Sequence, residues 1–262
     1  MMQKTITFKN AKISFSDVGK GTAVVLIHGF LENSTMWNTI KPKLSKRNRI
    51  VTIDLLGHGK SDCLGYVHTI ELFSEAVEVV LKHLKLRKYI LVGHSLGGYV
   101  SLQLAKNNPS KIKGLCLLNS TSNEDSEERK KLRFRANKMI QSNFTNMVRM
   151  SFVNLFSEAN RKTFKTEINV ALQEALQTPI QGYMAANEGM RIRKNSSAVL
   201  VENSFKKLII TGKKDPVLDL ETSLQEAKKT NTKIVFLNGG HMSHIENKEE
   251  LITALKAFIK FC

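Results

Sequence analysis

A serine flanked by glycines, Gly93-His94-Ser95-Leu96-Gly97, stands directly after an apolar stretch and directly before an amphipathic one. Small residues two positions either side of a serine suit a sharp strand-to-helix turn whose backbone is strained and crowded. Ser95 on such a turn projects above the sheet at a helix N-terminus, where free N–H groups and the helix dipole favour developing negative charge. A serine that merely caps a helix is the plainer alternative, and the paired glycines with both neighbouring elements in place weigh against it. Because a serine hydroxyl is a weak nucleophile at neutral pH, a base and a group that orients the base must come from elsewhere in the chain. Asp215, in Gly212-Lys213-Lys214-Asp215-Pro216, and His241, after Asn238-Gly239-Gly240, each follow an apolar strand-like stretch. Their competitors are Asp219, which precedes a helical stretch and reads as an N-cap, and His244, three residues beyond His241. Asn119 also follows a strand, but an amide cannot stabilise an imidazolium as a carboxylate does.

Positioning these groups requires strands and helices in strict alternation. Lys4 to Phe8 and Lys12 to Phe15 alternate apolar and polar residues and form an opening hairpin around Asn10. Ala23 to Ile27 is a short, wholly apolar run rich in β-branched residues, suited to a strand covered on both faces. A helical stretch near Met36 to Ser45 follows, then a strand Arg49 to Asp54, a helix Ile70 to Leu84, a strand Tyr89 to Val92, a helix Leu96 to Asn107 and a strand Ile112 to Leu118. The rhythm resumes with a strand Lys207 to Thr211, a helix Leu220 to Lys229, a strand Lys233 to Leu237 and a helix Lys248 to Lys260. Such alternation implies parallel crossovers. Ser95, Asp215 and His241 then all lie at the carboxyl ends of strands, where catalytic groups gather in parallel sheets.

The order Ser, Asp, His together with the serine turn resembles the α/β-hydrolase fold superfamily. His28-Gly29-Phe30 is similar to its HGx loop, and Asp54-Leu55-Leu56-Gly57-His58-Gly59-Lys60-Ser61 is similar to its D-x-x-G-x-G-x-S loop. The resemblance covers essentially the whole chain outside one insertion. It implies an α/β fold with a mostly parallel central sheet flanked by helices, and a helical cap inserted after the sixth strand. The expected core is residues 1–121 and 203–262, with the cap at 122–202. By the same resemblance the base follows a glycine directly, which favours His241 over His244, and the backbone N–H groups of Phe30 and Leu96 form an oxyanion hole. His28, His58 and His94 read as structural, with His94 pointing away from the nucleophile.

The activity so implied is hydrolysis of carboxylic esters or thioesters through an acyl-enzyme on Ser95, as in a carboxylesterase. A carbon–carbon bond hydrolase or lyase using the same triad, and a non-catalytic ligand-binding member of the fold, are the alternatives. Relatives that cleave haloalkanes or epoxides carry aspartate at the turn, and Ser95 argues against both.

No cofactor is expected: neither Gly19-Lys20-Gly21-Thr22 nor Gly212-Lys213 fits a phosphate-binding or dinucleotide fingerprint. No metal is expected either, since Cys63, Cys116 and Cys262 are far apart and form no ligand pair. An odd number of scattered cysteines, and a start without the apolar run of a secretion signal, point to reduced thiols in a cytoplasm. The longest apolar run is too short to span a bilayer. The net charge of +17 is spread along 262 residues without an aromatic-interleaved basic motif, so nucleic acid is not the expected partner. Arg129 to Lys138 concentrates six bases in ten residues of the insertion. A solvated helix face accounts for them most simply, and a cationic stripe at the pocket mouth for an acyl carrier protein or coenzyme A ester is the sharper alternative. Phe134, Met139, Phe144, Met147, Met150, Phe152 and Phe156 recur through the insertion. They pack cap helices together or, alternatively, line an acyl pocket.

Overall fold

The computed structural model describes residues 3–262. Eight strands form one sheet: β1 (Lys4–Phe8), β2 (Ala11–Val18), β3 (Thr22–Ile27), β4 (Asn48–Ile53), β5 (Tyr89–His94), β6 (Ile112–Leu118), β7 (Lys206–Gly212) and β8 (Lys233–Leu237). Their order across the sheet is β1-β2-β4-β3-β5-β6-β7-β8. β2 pairs antiparallel with β1 and β4, and every other pairing is parallel. The helices are α1 (Lys41–Leu44), α2 (Ile70–His83), α3 (Leu96–Asn107), α4 (Glu127–Val153), α5 (Asn160–Thr163), α6 (Lys165–Leu176), α7 (Ile180–Ile192), α8 (Ser197–Glu202), α9 (Leu220–Lys229), α10 (Ser243–Glu246) and α11 (Lys248–Phe261).

The two-residue period of a strand divides the sheet's apolar residues between two cores. Val25 and Ile27 of β3 face α2 and α3 through Phe73, Val77 and Val100. Val24 and Leu26 face the opposite layer, closed by Trp37, Leu251, Leu255 and Phe258. Both sets are fully buried, which is why β3 reads as an unbroken apolar run.

The expected helix over Met36 to Ser45 is instead a 3-10 turn at Ser34–Trp37 followed by the single-turn α1. Pro42 explains the break, because its ring nitrogen has no hydrogen to give to the preceding turn. Five helices, α4 to α8, lie between β6 and β7, and α4 is interrupted at Asn143, whose φ of −146° leaves the helical region. A third apolar cluster unites α4, α6 and α7 through Ile140, Phe152, Ile168 and Tyr183, and meets the rest of the molecule at Leu31 and Met242. Among the described residues no helix is long and apolar enough to cross a membrane.

Candidate active site

Ser95 joins β5 to α3 with φ 49° and ψ −115°, a left-handed conformation that costs a side-chain-bearing residue energy. The surroundings hold it there: its N–H donates to Leu118 of β6 at 3.0 Å, and its carbonyl accepts from Gly98 N at 2.9 Å and Ser120 Oγ at 2.7 Å. A Cβ on Gly93 would collide with the Gly97 carbonyl, and one on Gly97 would collide with the Ile27 carbonyl of β3. The two glycines are therefore required by the close approach of α3 to the strand ends.

β7 and β8 are neighbours, so the loops that leave them are neighbours as well. Lys213 N donates to Leu237 O at 2.8 Å and Lys214 N to Gly239 O at 3.0 Å. This stitching sets Asp215 against His241, whose Nδ1 donates to Asp215 Oδ2 at 2.8 Å and lies 3.1 Å from Oδ1. The Asp215 carboxylate is fully buried and also accepts from Asn119 Nδ2 at 2.9 Å, Val217 N at 2.8 Å and Leu218 N at 3.1 Å. Burial alone would raise its pKa; the His241 charge and these donors outweigh burial and hold it below the usual carboxylate range. With Nδ1 committed to Asp215, the free acceptor of a neutral His241 is Nε2.

Ser95 and His241 line one cavity of about 420 Å³, together with Phe30, Tyr99, Arg133 and Tyr183. Among the described residues the Ser95 hydroxyl has no hydrogen-bond partner. Leu96 is the first residue of α3, so its N–H has no acceptor within the helix. A larger groove of about 760 Å³ runs beside this cavity and includes His244 but neither Ser95 nor His241. The competitors separate cleanly: Asp219 caps α9 by accepting from Thr222 N at 2.8 Å. His244 is buried, and burial pushes its pKa down to about 4.

His28 ties two loops together, its Nε2 accepting from Leu55 N at 2.9 Å and its Nδ1 donating to Gly29 O at 2.7 Å. Asp54 and Ser61 serve the same purpose: Asp54 accepts from Ser34 N at 2.8 Å and Lys60 N at 3.0 Å, and Ser61 Oγ donates to Asp54 O at 2.6 Å. His58 is buried and neutral, its pKa driven down to about 3 by desolvation.

Asn119, set aside above as an acid, and two residues that sequence reasoning missed, Glu246 and Glu32, support His241. Asn119 donates to Gly240 O at 3.2 Å as well as to Asp215, so its amide assists the acid rather than replacing it. Glu246 accepts from Gly240 N at 2.9 Å, Ser157 Oγ at 2.6 Å and Asn160 Nδ2 at 2.8 Å, binding the histidine loop to the α4–α5 connection. Glu32 accepts from Gly29 N at 2.7 Å and from His94 Nδ1 at 2.6 Å, while His94 Nε2 donates to His241 O at 3.0 Å. Both His94 nitrogens face acceptors, so His94 is an imidazolium paired with the Glu32 carboxylate. The only signal for Glu246 and Glu32 was polarity, because each acts across a long stretch of chain.

Glu32, His94 and His244 bring ligand-type atoms within 4.8 Å of one another. Both nitrogens of His94 are already engaged, so a metal ion there would have to break the ion pair. Burial opposes charge on both partners, and mutual attraction overrides it, holding Glu32 at about 2 and His94 above its ordinary 6.5. Glu32, depressed from 4.5, contributes stability above pH 4.5 that is lost as pH falls toward 2; His94, raised, contributes below pH 6.5 and loses it as pH climbs through its folded value. Glu32→Gln should therefore destabilise the fold by about 3 to 5 kcal/mol. Urea titrations across pH should show the deficit widest between 4.5 and 6.5; a deficit independent of pH would contradict the pair.

The basic run of the insertion does not form one stripe. Arg129 and Arg133, one turn apart on α4, line the Ser95 cavity, whereas Lys130, Lys131 and Arg135 border a separate surface hollow. Of the seven aromatic and methionine residues between Phe134 and Phe156, Phe152 lines the cavity; Phe156 is buried among the helices between β6 and β7, and Phe134, Met139 and Met150 are exposed. Helix packing rather than an acyl lining accounts for Phe156.

The family model for the alpha/beta hydrolase fold matches residues 22–248. An uncharacterized protein of Mycobacterium tuberculosis is 36% identical over 107 residues, 41% of this chain and 31% of that protein, so the chain covers about a third of that relative's length. A pimeloyl-[acyl-carrier protein] methyl ester esterase of Aliivibrio fischeri is 26% identical across 92% of this chain and 95% of its own. Among solved structures, a thermophilic esterase from Thermogutta terrifontis, with malate bound, superposes with a TM-score of 0.93 at 27% identity, covering 99% of this chain and 98% of that one. With a strained serine between β5 and α3, an aspartate after β7 hydrogen-bonded to a histidine after β8, and a family match across most of its length, the chain belongs to the alpha/beta hydrolase fold family.

Proposed function

We propose that the protein hydrolyses carboxylic esters or thioesters through an acyl-enzyme on Ser95, with residues 122–202 as the cap over the pocket. The observation that carries this reading is the buried His241–Asp215 hydrogen bond at 2.8 Å, opening on the cavity that holds Ser95. His241 Nε2 takes the Ser95 proton as Oγ attacks the acyl carbon, and Asp215 stabilises the imidazolium that forms. The imidazolium then protonates the leaving alcohol or thiol. Water, deprotonated by the same nitrogen, attacks the acyl-enzyme, and the proton returns to Ser95 as the acid departs. The Phe30 and Leu96 N–H groups bind the oxyanion, each contributing about 3 to 4 kcal/mol. Ser95 and His241 line the same cavity, and the hydrogen bond between them tightens when substrate binds.

The esterases named above support ester chemistry, and the relative that acts on an acyl-carrier-protein ester makes carrier-protein and coenzyme A esters the natural thioester and large-ester candidates. Turnover of p-nitrophenyl butyrate against a vinylogous diketone tests the reading. Ester cleavage with an initial burst of p-nitrophenol is expected; cleavage of the diketone alone would establish a carbon–carbon bond hydrolase, and tight binding with no turnover of either a non-catalytic receptor.

A further inference from the structure

The wall of the Ser95 cavity carries a guanidinium cluster that ester hydrolysis by itself does not need. Asp125, just before α4, has a side chain only 2% exposed and is contacted by Arg133 Nε at 2.5 Å, Arg193 Nη1 at 2.8 Å and Arg129 Nε at 3.5 Å. Three cations against one carboxylate leave two positive charges in excess. Glu32, which also lines the cavity, is matched by His94, and Glu226 nearby accepts from Thr121, Ser122 and Asn123 instead of from an arginine.

The cluster is held rigid. Arg133 Nη1 donates to Asn187 Oδ1 at 3.1 Å, and Asn187 Nδ2 donates back to Arg133 O at 2.8 Å. Arg193 stacks on the Tyr99 ring at 4.0 Å, and Tyr99 is itself part of the cavity wall. Among the described residues Arg133 Nη2 has no partner. A fixed guanidinium with a free nitrogen on a cavity wall is preorganised for a carboxylate, which it binds through charge-assisted hydrogen bonds. Arg129, 40% exposed at its side chain and donating to Val217 O at 3.2 Å, also lines the cavity.

We propose that Arg133 and Arg129 form an anion subsite, and that the preferred substrates are esters that carry a carboxylate. The inference rests on the ester-hydrolase reading and adds the substrate class to it. The buried ion pair of Arg133 with Asp125 is not explained by solubility or by carrier-protein docking, since the Arg133 side chain lines the Ser95 cavity and is only 12% exposed.

Four esters distinguish where the carboxylate sits: mono-p-nitrophenyl glutarate places it on the acyl side, 3-acetoxybenzoate on the leaving group, with p-nitrophenyl valerate and phenyl acetate as neutral counterparts. One of the two anionic esters should show a kcat/KM about 10 to 100-fold above its neutral counterpart. That ratio should fall to near unity in Arg133→Lys, which keeps charge but loses the planar guanidinium, and fall in part in Arg129→Gln, which leaves the shorter Arg133 and Arg193 contacts to Asp125 in place. Glutarate binding to the wild type and to the Ser95→Ala variant, followed by calorimetry, needs no turnover. Binding that weakens in Arg129→Gln supports the subsite even if no ester is cleaved, an outcome that would refute only the hydrolase reading. Neutral esters preferred over both anionic ones, with no glutarate binding, would overturn the subsite.

Discussion

Ser95→Ala is expected to lower kcat for a p-nitrophenyl ester by about 10⁴-fold, equivalent to about 5 kcal/mol of transition-state stabilisation, while leaving the fold intact. The alanine keeps the Cβ that the left-handed turn already accommodates, and the backbone bonds to Leu118, Gly98 and Ser120 do not involve the hydroxyl. What disappears is the atom proposed to form the acyl-enzyme. Residual turnover above the uncatalysed rate is expected, because the substitution leaves the proposed oxyanion hole of Phe30 and Leu96 in place. Stopped-flow measurement should show the burst of p-nitrophenol gone as well. Retention of a tenth of the wild-type rate would refute the nucleophile.

The two histidines of Gly240-His241-Met242-Ser243-His244 should behave oppositely. His241→Ala removes both the base and the charge that Asp215 is buried to stabilise, so a loss of about 10³ to 10⁴-fold in kcat is expected, similar to the loss from removing the serine because the two act as a unit. His244→Ala removes a ring that faces Glu32 at 3.8 Å and lies outside the Ser95 cavity. It should cost stability through the space left in a buried layer, with kcat staying within about tenfold of wild type. Circular dichroism and ester kinetics on the two purified variants separate the effects. An inactive His244→Ala beside an active His241→Ala would reverse the assignment.

The central strands were legible because a strand covered on both faces must be apolar throughout, as β3 is. The serine turn was legible because its requirement is local: Gly93 and Gly97 lie within two residues of the backbone they must admit. Pairing of Asp215 with His241 could be inferred because both follow parallel strands, and neighbouring strands bring their loops together. Asn119 was placed after a strand without its role as a donor to Asp215, and Glu32 could not be found this way. Their partners lie 96 and 62 residues away in the chain, and nothing about a lone polar residue reports which distant loop folds onto it. The division of the basic run was legible in principle, since Arg129 and Arg133 share a helical face that Lys130 and Arg135 do not. Counting charge over ten residues concealed it. The break in α4 at Asn143 has no proline or glycine behind it, and the residues around it give no local reason for it.

Treated with a fluorophosphonate, the protein should lose activity in step with a single adduct, as Oγ of Ser95 attacks phosphorus, fluoride leaves and His241 takes the proton. Peptide mapping by mass spectrometry should place that adduct on Ser95 and find none in the Ser95→Ala variant; an adduct on another residue, or equal labelling of the variant, would contradict the mechanism.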